Sequence, residues 1–76
     1  MNLSQLYYFA KLSEMQHYAN AAKELYISQP AISKAISKLE DSLGLSLFTR
    51  SSRGVQLTSE GEILFEHAKE AFDTLS

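Results

Sequence analysis

The stretch SQPAISKAISKLEDSLG, residues 28–44, has the signals of a complete helix. Ser28 can cap the first turn, and Pro30 lies within that turn, where a missing N–H group leaves no hydrogen bond unmade. Gly44 is typical of the residue that ends a helix. Four apolar residues recur between these ends at helical spacing: Ile32, Ile36, Leu39 and Leu43. The stretch therefore predicts a helix over residues 28–43 with one buried face.

A first helix is predicted near the start of the chain. Asn2 and Gln5 have the spacing of a capping box, in which each side chain accepts a hydrogen bond from the backbone N–H group of the other residue. The apolar residues that follow recur at helical intervals: Leu3, Leu6, Phe9 or Ala10, and Leu12 or Ser13. The pattern predicts a helix that ends at about Met15.

A second, shorter helix is predicted from residue 18 to about residue 25, after the residues MQHY interrupt the first pattern. One side of this helix carries small and apolar residues: Ala19, Ala22 and Leu25. The adjacent pair Ala21 and Ala22 leaves room for another helix to approach closely. Because residues 26–28 allow only a tight connection to the next helix, the order of elements predicts a helix-turn-helix.

Downstream of residue 44 the pattern changes to that of a small β-hairpin. Val55 and Leu57 alternate with polar residues, and Gly54 supplies the conformational freedom that a turn needs. We therefore expect two short strands joined by residues 51–54.

Together these elements predict one mainly α-helical fold. It is a winged helix-turn-helix over residues 1–58, with a three-helix core and a two-stranded wing, followed by a linker or dimerisation helix over residues 59–76. That last helix is expected to begin near Thr58 or Ser59. A chain of 76 residues buries a thin core, so a partner or a second copy is expected to add stability.

The helix over residues 28–43 has a polar face opposite its apolar residues. At about 100° per residue, that face holds Pro30, Ser33, Lys34, Ser37 and Lys38, and Gln29 projects from the first turn. Glutamine can pair with adenine, lysine can reach guanine acceptors or phosphate, and serine can serve either purpose. The composition of this face therefore favours contact with base edges in the major groove.

Arg50 and Arg53 flank the turn of the predicted hairpin, which contains two serines and a glycine. Two cations at a small, protruding tip can lie along DNA phosphates or enter the minor groove, where the negative potential attracts arginine. We therefore expect the wing, residues 50–54, to contact the backbone or the minor groove.

Charge is divided unevenly along the chain, whose formal net charge is −2. Residues 28–54 contain four basic and two acidic side chains, whereas residues 55–76 contain one basic and five acidic side chains. A basic middle segment permits DNA binding but does not by itself require it.

The run AAKELYISQPAISKAISKLEDSLGLSLFTRSSRGVQLTSEGE, residues 21–62, resembles the N-terminal domain of LysR-type transcriptional regulators, and MNLSQLYYF extends the likeness to the start of the chain. The blocks SQPAISKAI, LEDSLGLSLF and R-x-x-R-G-x-x-L-T occur together at the spacing of that family. The resemblance implies a winged helix-turn-helix that reads an imperfect palindrome as a dimer. It also implies a long dimerising linker helix and a C-terminal domain, absent from this chain, that binds a small-molecule effector.

Matched position by position, the family's DNA contacts would fall on Gln29, Pro30, Ser33, Lys34 and Lys38 in the helix and on Arg50 and Arg53 in the wing. Lys34 stands where the family often has arginine, and lysine cannot form the planar two-pronged contact, so base reading there would be weaker. Ala35 stands where many relatives have a polar residue. His17 stands where serine commonly caps the second helix, which puts that cap in question.

The predicted last helix carries an apolar stripe: Leu64, Phe65, Ala68, Phe72 and Leu75. In one interpretation the stripe packs on the first helix. The resemblance favours another, in which Phe65, Phe72 and Leu75 pair with a second copy of the chain. A symmetric dimer would place two recognition helices on one face of the duplex, about one helical turn or a multiple apart.

The sequence offers little for catalysis or metal binding. There is no cysteine, and His17 and His67 are the only histidines. Glu66, His67 and Glu70 are close together on a helix but form a poor ligand set for a transition metal. No nucleophile has a base and an orienting partner at readable spacing, and the glycines form no phosphate loop. We therefore expect no enzyme, no metal site and no cofactor.

No charged leader and no apolar run of membrane-spanning length is present, which predicts a cytoplasmic protein without membrane contact. Two other functions stay open at this stage: a small acidic helical domain for protein contact, and a winged helix that binds DNA without sequence preference. Salt dependence separates protein contact from DNA binding, because phosphate contacts weaken steeply as salt rises whereas an apolar protein interface does not.

Overall fold

The computed structural model describes residues 1–75, which form four α-helices and one two-stranded antiparallel sheet. The elements follow in the order α1 Leu3–Met15, α2 Tyr18–Leu25, α3 Gln29–Leu43, β1 Phe48–Ser51, β2 Gly54–Leu57 and α4 Ser59–Leu75. This order confirms the predicted winged helix-turn-helix followed by one more helix. Within residues 1–75, no helix is both long enough and apolar enough to cross a membrane.

Helices α1 and α3 begin and end at the predicted capping residues. The Asn2 side-chain oxygen accepts from the Gln5 backbone N–H at 2.8 Å, and the Asn2 N–H donates to the Gln5 side chain at 3.3 Å, which confirms the capping box. At the start of α3, Ser28 Oγ accepts from the Ala31 N–H at 3.2 Å. Gly44 ends α3 in the left-handed region, with φ of 70°.

Helix α2 begins and ends without a polar side-chain cap. His17 precedes it and makes no capping hydrogen bond through its side chain, in keeping with its departure from the family pattern. Tyr26 follows α2 with φ of 58°, a left-handed conformation that is uncommon outside glycine. This conformation ends α2 at once, so the connection to α3 is as tight as predicted.

The core lies where α1, α2 and α3 meet the base of the wing. Its largest fully buried side chains are Phe9, Leu12, Ile32, Leu39 and Leu47. The Phe9 and Phe48 rings pack with their centroids 5.4 Å apart, which joins the first helix to β1. Ala21 and Ala22 are both buried, as their small size predicts.

Leu3 does not belong to the core, although the apolar pattern of α1 includes it. Its side chain is 65% exposed, because it is the first residue of the helix and no core element covers it. At the two later positions where the apolar pattern left a choice of residue, both candidates are buried: Phe9 and Ala10, and Leu12 and Ser13. Buried Ser13 is satisfied by a hydrogen bond from its Oγ to the Phe9 carbonyl at 2.7 Å.

The hairpin turn is tighter than predicted. Ser51 pairs with Gly54 in the antiparallel register, so only Ser52 and Arg53 form the turn, instead of four residues, 51–54. The Arg53 N–H donates to Ser51 Oγ at 3.2 Å, which orders this short turn.

Gly54 is required by a close approach as well as by the turn. Its φ is 122°, and a Cβ at this position would overlap the backbone carbonyl oxygen of Gln16. The neighbouring Val55 N–H donates to that same oxygen at 3.2 Å. The wing is therefore attached to the loop that follows α1.

The residue before α4, Thr58, caps the helix and also joins it to the segment before β1. Thr58 Oγ1 accepts from the Gly61 N–H at 3.0 Å, as a capping side chain does, and donates to the Ser46 carbonyl at 2.7 Å. The Thr58 N–H donates to the Leu47 carbonyl at 2.9 Å. The predicted start of this helix near Thr58 or Ser59 is confirmed.

Helix α4 packs on α1 within the same chain. Ala68 is buried, and Leu64 and Phe65 are half-buried against the core. Farther along, the Phe72 ring meets the Tyr7 ring edge-on, with the centroids 5.3 Å apart.

Candidate nucleic-acid interface

Helix α3 presents its polar face to solvent. Four of its predicted contact residues are exposed: Gln29, Pro30, Lys34 and Lys38. Ser33, the fifth, is half-buried. The opposite face is held inward because Ile32, Ile36 and Leu39 are all buried in the core. The helix therefore has the orientation that its sequence pattern predicts.

An open cleft joins the start of α3 to the wing. It has a volume of about 620 Å³ and is lined by Tyr18, Gln29, Pro30, Ser33 and Arg50. We call it the wing cleft. Ser33 is less exposed than expected because it lines this cleft instead of standing on the outer surface of the helix. The fold thus brings one predicted wing residue together with three predicted residues of the recognition helix.

The two wing arginines have different surroundings. The Arg50 guanidinium lies over the Tyr18 ring, 5.2 Å from the ring centroid, within the range of a cation–π contact. Arg53 is an exposed residue of the two-residue turn, at the far tip of the hairpin. Arg50 is therefore held beside α3, whereas Arg53 extends from the wing.

One of the two acids on α3, Glu40, is engaged by backbone N–H groups at the base of the wing. The Glu40 carboxylate lies in the last turn of α3 and accepts hydrogen bonds from the Leu47 N–H at 2.7 Å and the Phe48 N–H at 3.3 Å. The other end of α3 carries exposed Gln29 at the positive end of the helix dipole, a favourable place for an anion. The surface formed by α3 and the wing can receive a phosphate backbone and hydrogen-bond the polar edges of bases.

The side chains that could support metal binding do not converge. Among residues 1–75, no group of three His, Cys, Asp or Glu side chains is placed to hold a metal ion.

The three predicted dimerisation residues lie along one side of α4 but have different surroundings. Phe65, Phe72 and Leu75 line a groove of about 380 Å³ between α1 and α4. Phe65 is half-buried against the core and Phe72 contacts Tyr7, so both pack within the chain. Leu75 is 73% exposed. Pairing of these residues with a second copy stays a prediction.

Two residues that shape the surface formed by α3 and the wing were not identified from the sequence. Tyr18 was predicted only as the start of α2, and its contact with Arg50 depends on folding. Glu40 was counted only as an acid on α3. Its position offered a signal, because an acid in the last turn of a helix is disfavoured by the helix dipole and so suggests a compensating partner.

Comparison with known proteins places this geometry in a family. Residues 3–62 match the family model described as bacterial regulatory helix-turn-helix protein, lysR family. The HTH-type transcriptional regulator BudR of Klebsiella aerogenes is 46% identical over 68 residues, which cover 90% of this chain and 48% of that protein. The hydrogen peroxide-inducible genes activator of Pectobacterium carotovorum subsp. carotovorum is 44% identical over 69 residues, which cover 91% of this chain and 23% of the relative.

Solved structures agree with these sequence relatives. The structure of the BenM DNA-binding domain in complex with catB site 1 DNA has a TM-score of 0.93 and 37% identity, covering 99% of this chain and 84% of that one. The structure of CbnR, a LysR family transcriptional regulator, has a TM-score of 0.92 and 39% identity, covering 99% of this chain and 26% of that one.

The chain spans about half or less of the length of the curated relatives named above. The relatives named above are described as regulators and not as enzymes, and the matching family model describes a regulatory helix-turn-helix protein. The chain belongs to the LysR family of bacterial regulatory helix-turn-helix proteins.

Proposed function

We propose that this chain binds double-stranded DNA at specific sequences as part of a transcriptional regulator, with α3 in the major groove and the wing on the backbone or in the minor groove. The observation that carries the proposal is the arrangement of α3 and the wing. Gln29 and Lys34 are exposed on α3, and Gln29 lines the wing cleft together with Arg50. The likeness to a DNA-bound BenM domain supports it.

The candidate DNA-contact residues have two roles: some hydrogen-bond bases, and others bind phosphates and so position the protein on the duplex. Gln29, Ser33 and Lys34 have side chains that can hydrogen-bond base edges, and Pro30 can contact them through its apolar ring. Lys38, Arg50 and Arg53 supply cations for phosphates, which position the protein without reading sequence. Lys38 is exposed farther along α3 than Gln29 and Lys34.

The proposal extends to a homodimer on an imperfect palindrome. Residues 59–76 would act as the linker and dimerisation helix after the DNA-binding unit of residues 1–58, with Phe65, Phe72 and Leu75 toward the second copy; Ser76 lies outside the described residues. The exposure of Leu75 and the groove beside it support this arrangement. In a symmetric dimer each α3 would read one half-site.

The remaining elements of the proposal concern the longer protein. A small-molecule effector would act only through a C-terminal domain outside this chain, and the regulator would work in the bacterial cytoplasm, without a cofactor and without membrane contact. The full-length LysR-family regulators among the structural relatives support such an organisation, because this chain matches only a quarter of the CbnR structure.

Selection of bound sites from random duplex DNA tests the proposal. We expect enrichment of a site with two related half-sites, and loss of that enrichment in a variant carrying both Gln29→Ala and Lys34→Ala. The matched control is Lys69→Ala, an exposed lysine of α4, which should select the same site as the original chain. Binding to the selected site should weaken steeply as salt rises.

Three results would contradict parts of the proposal. Binding without any enriched sequence would indicate a winged helix that does not discriminate. An enriched site without two-fold symmetry would contradict the dimer. Absence of duplex binding at low salt would overturn DNA binding altogether and favour a protein-contact module.

A further inference from the structure

The core holds the ring of Tyr18 in place, but it does not hold the side chain of Arg50. Tyr18 is the first residue of α2, is half-buried, and packs against the buried cluster of the three-helix core. Arg50 belongs to β1 and is exposed. The Arg50 Cζ atom lies 5.2 Å from the Tyr18 ring centroid. A rigid ring therefore provides a platform for a side chain that would otherwise be free to rotate.

This contact determines where the Arg50 charge is found. An arginine side chain loses much rotational freedom when it is held by a partner, so a contact formed before DNA arrives reduces the loss on binding. The contact also gives the charge a direction. Both Tyr18 and Arg50 line the wing cleft with Gln29, Pro30 and Ser33, so the guanidinium faces the first turns of α3.

Arg53 provides the comparison within the same hairpin. Within residues 1–75, no aromatic ring is found under its guanidinium, and it stands in the exposed turn. Both arginines match the family's wing pattern, yet the fold restrains only Arg50.

We propose that Tyr18 is a positioning residue for DNA binding, whose ring face holds the Arg50 guanidinium beside the start of α3, where it meets the phosphates next to the bases that α3 reads. The inference rests on the proposed DNA-binding function and assigns the two wing arginines different tasks. Arg50 binds from a preset position coupled to the register of α3. Arg53 binds phosphate from the exposed turn of the wing.

A double-mutant cycle tests the coupling. Affinity is measured for a labelled duplex carrying the site enriched by the selection above, with the original chain, Tyr18→Leu, Tyr18→Phe, Arg50→Ala and the combination of Tyr18→Leu with Arg50→Ala. Tyr18→Leu should weaken binding about two- to five-fold, the range of an exposed cation–π contact. Tyr18→Phe keeps the ring face and should bind like the original chain. Tyr18→Leu should cost nothing further once Arg50 is alanine.

The matched control uses the other wing arginine. Combined with Arg53→Ala, the Tyr18→Leu substitution should still cost its full two- to five-fold, because Arg53 does not share the ring. If Tyr18→Leu instead impaired folding, it would weaken binding in the Arg50→Ala variant as well as in the Arg53→Ala variant. The cycle therefore distinguishes a positioning role of Tyr18 from a general loss of structure. Thermal unfolding of each variant is recorded alongside.

The contact can also be tested in the unbound chain, without DNA. In proton NMR spectra the Arg50 Cδ protons should be shifted upfield by the Tyr18 ring current, and the shift should persist in Tyr18→Phe and disappear in Tyr18→Leu. Spectra of the original chain without this shift would overturn the inference.

Three further outcomes would overturn it and differ in what they say about DNA binding. Equal losses for Tyr18→Leu with and without Arg50, in a chain that binds its site normally, would remove the inference and leave the proposed function intact. A chain that binds no duplex would remove both. A loss in Tyr18→Phe equal to that in Tyr18→Leu would assign the effect to the hydroxyl group and contradict the role of the ring face.

Discussion

At the scale of single residues, Glu40 is a charge at the unfavourable end of its helix that nevertheless stabilises the fold. A carboxylate in the last turn of α3 is disfavoured by the negative end of the helix dipole. Its Oε2 atom nevertheless accepts from the Leu47 and Phe48 N–H groups, at 2.7 Å and 3.3 Å. These bonds satisfy backbone donors at the start of the wing, so Glu40 connects the recognition helix to the hairpin.

Replacing Glu40 should therefore destabilise the domain. Glu40→Ala is expected to lower the free energy of unfolding by about 1–3 kcal/mol, because the Leu47 N–H loses its acceptor. Glu40→Gln keeps an oxygen that can accept and should lose less. The measurement is urea unfolding, with Asp41→Ala, an exposed neighbour, as the control that should change stability by less than about 0.5 kcal/mol. Equal stability of the Ala variant and the original chain would contradict the role of these hydrogen bonds.

Gln29 and Lys34 should each contribute to discrimination between DNA sequences. Gln29→Ala or Lys34→Ala is expected to reduce the preference for the selected site over a scrambled duplex by about 1–3 kcal/mol, because each side chain reaches base edges. A competition binding assay measures the preference. Lys69→Ala on α4 should leave it unchanged. If both α3 variants kept full preference, the helix that reads the groove would be a different one.

At the scale of elements, the wing is expected to supply affinity without sequence information. Arg53→Ala should weaken binding to all duplexes alike and reduce the slope of log affinity against log salt by about 1, because one phosphate contact is lost. A titration at several salt concentrations measures the slope. Ser52→Ala alters the other residue of the same turn without removing a charge and should leave the slope as it is. An unchanged slope in the Arg53 variant would indicate that the wing tip does not touch DNA.

At Gly61, α4 lies directly against the segment before β1. A Cβ on Gly61 would overlap the Leu47 carbonyl oxygen and lie 3.0 Å from the Leu57 side chain. Alanine normally stabilises a helix relative to glycine by about 1 kcal/mol. Here Gly61→Ala should instead lower the free energy of unfolding by about 1–3 kcal/mol, since the close contact forces the two elements apart.

Denaturant unfolding checks this prediction, with Ala71→Gly as the matched control. Ala71 is exposed on the same helix, so its replacement should show only the ordinary helix preference, a loss of about 1 kcal/mol. A Gly61→Ala variant more stable than the original chain would mean that α4 can shift away from β1 at no cost.

At the scale of the whole molecule, the question is which surface of α4 remains for a second copy. Phe72 already contacts Tyr7, so Phe72→Asp would disturb packing within the chain as well as any dimer. A substitution at Leu75 tests self-association more selectively, because this residue is 73% exposed within the chain. Leu75→Asp should weaken self-association on the order of ten-fold or more, because a charge would be buried between the two copies.

Sedimentation over a range of concentrations measures this association. Leu45→Asp, at an exposed leucine outside α4, is the control and should leave the mass distribution as in the original chain. If Leu75→Asp dimerised as readily as the control, the pairing surface would lie elsewhere on the molecule.

The division between local and tertiary information explains which predictions succeeded. The bounds of α1 and α3 follow from caps and apolar spacing, and those of α2 from apolar spacing alone. The polar face of α3 follows from one helical period, so a few neighbouring residues suffice. The shorter hairpin turn was missed because the pairing of Ser51 with Gly54 depends on where the strands sit. The exposure of Leu3 was missed because only the packed neighbours of α1 decide which of its apolar residues are covered.

The amino-acid order alone determined the succession of helices and strands, the family, and the outward direction of the polar face of α3 except at Ser33, because these depend on interactions within a turn or two of backbone. Only the tertiary structure decided that the Arg50 guanidinium lies on the Tyr18 ring, that Glu40 binds the backbone before the wing, and that Phe72 packs on Tyr7. These contacts join residues distant along the chain, and their geometry exists only once the core has set the helices and the wing against one another.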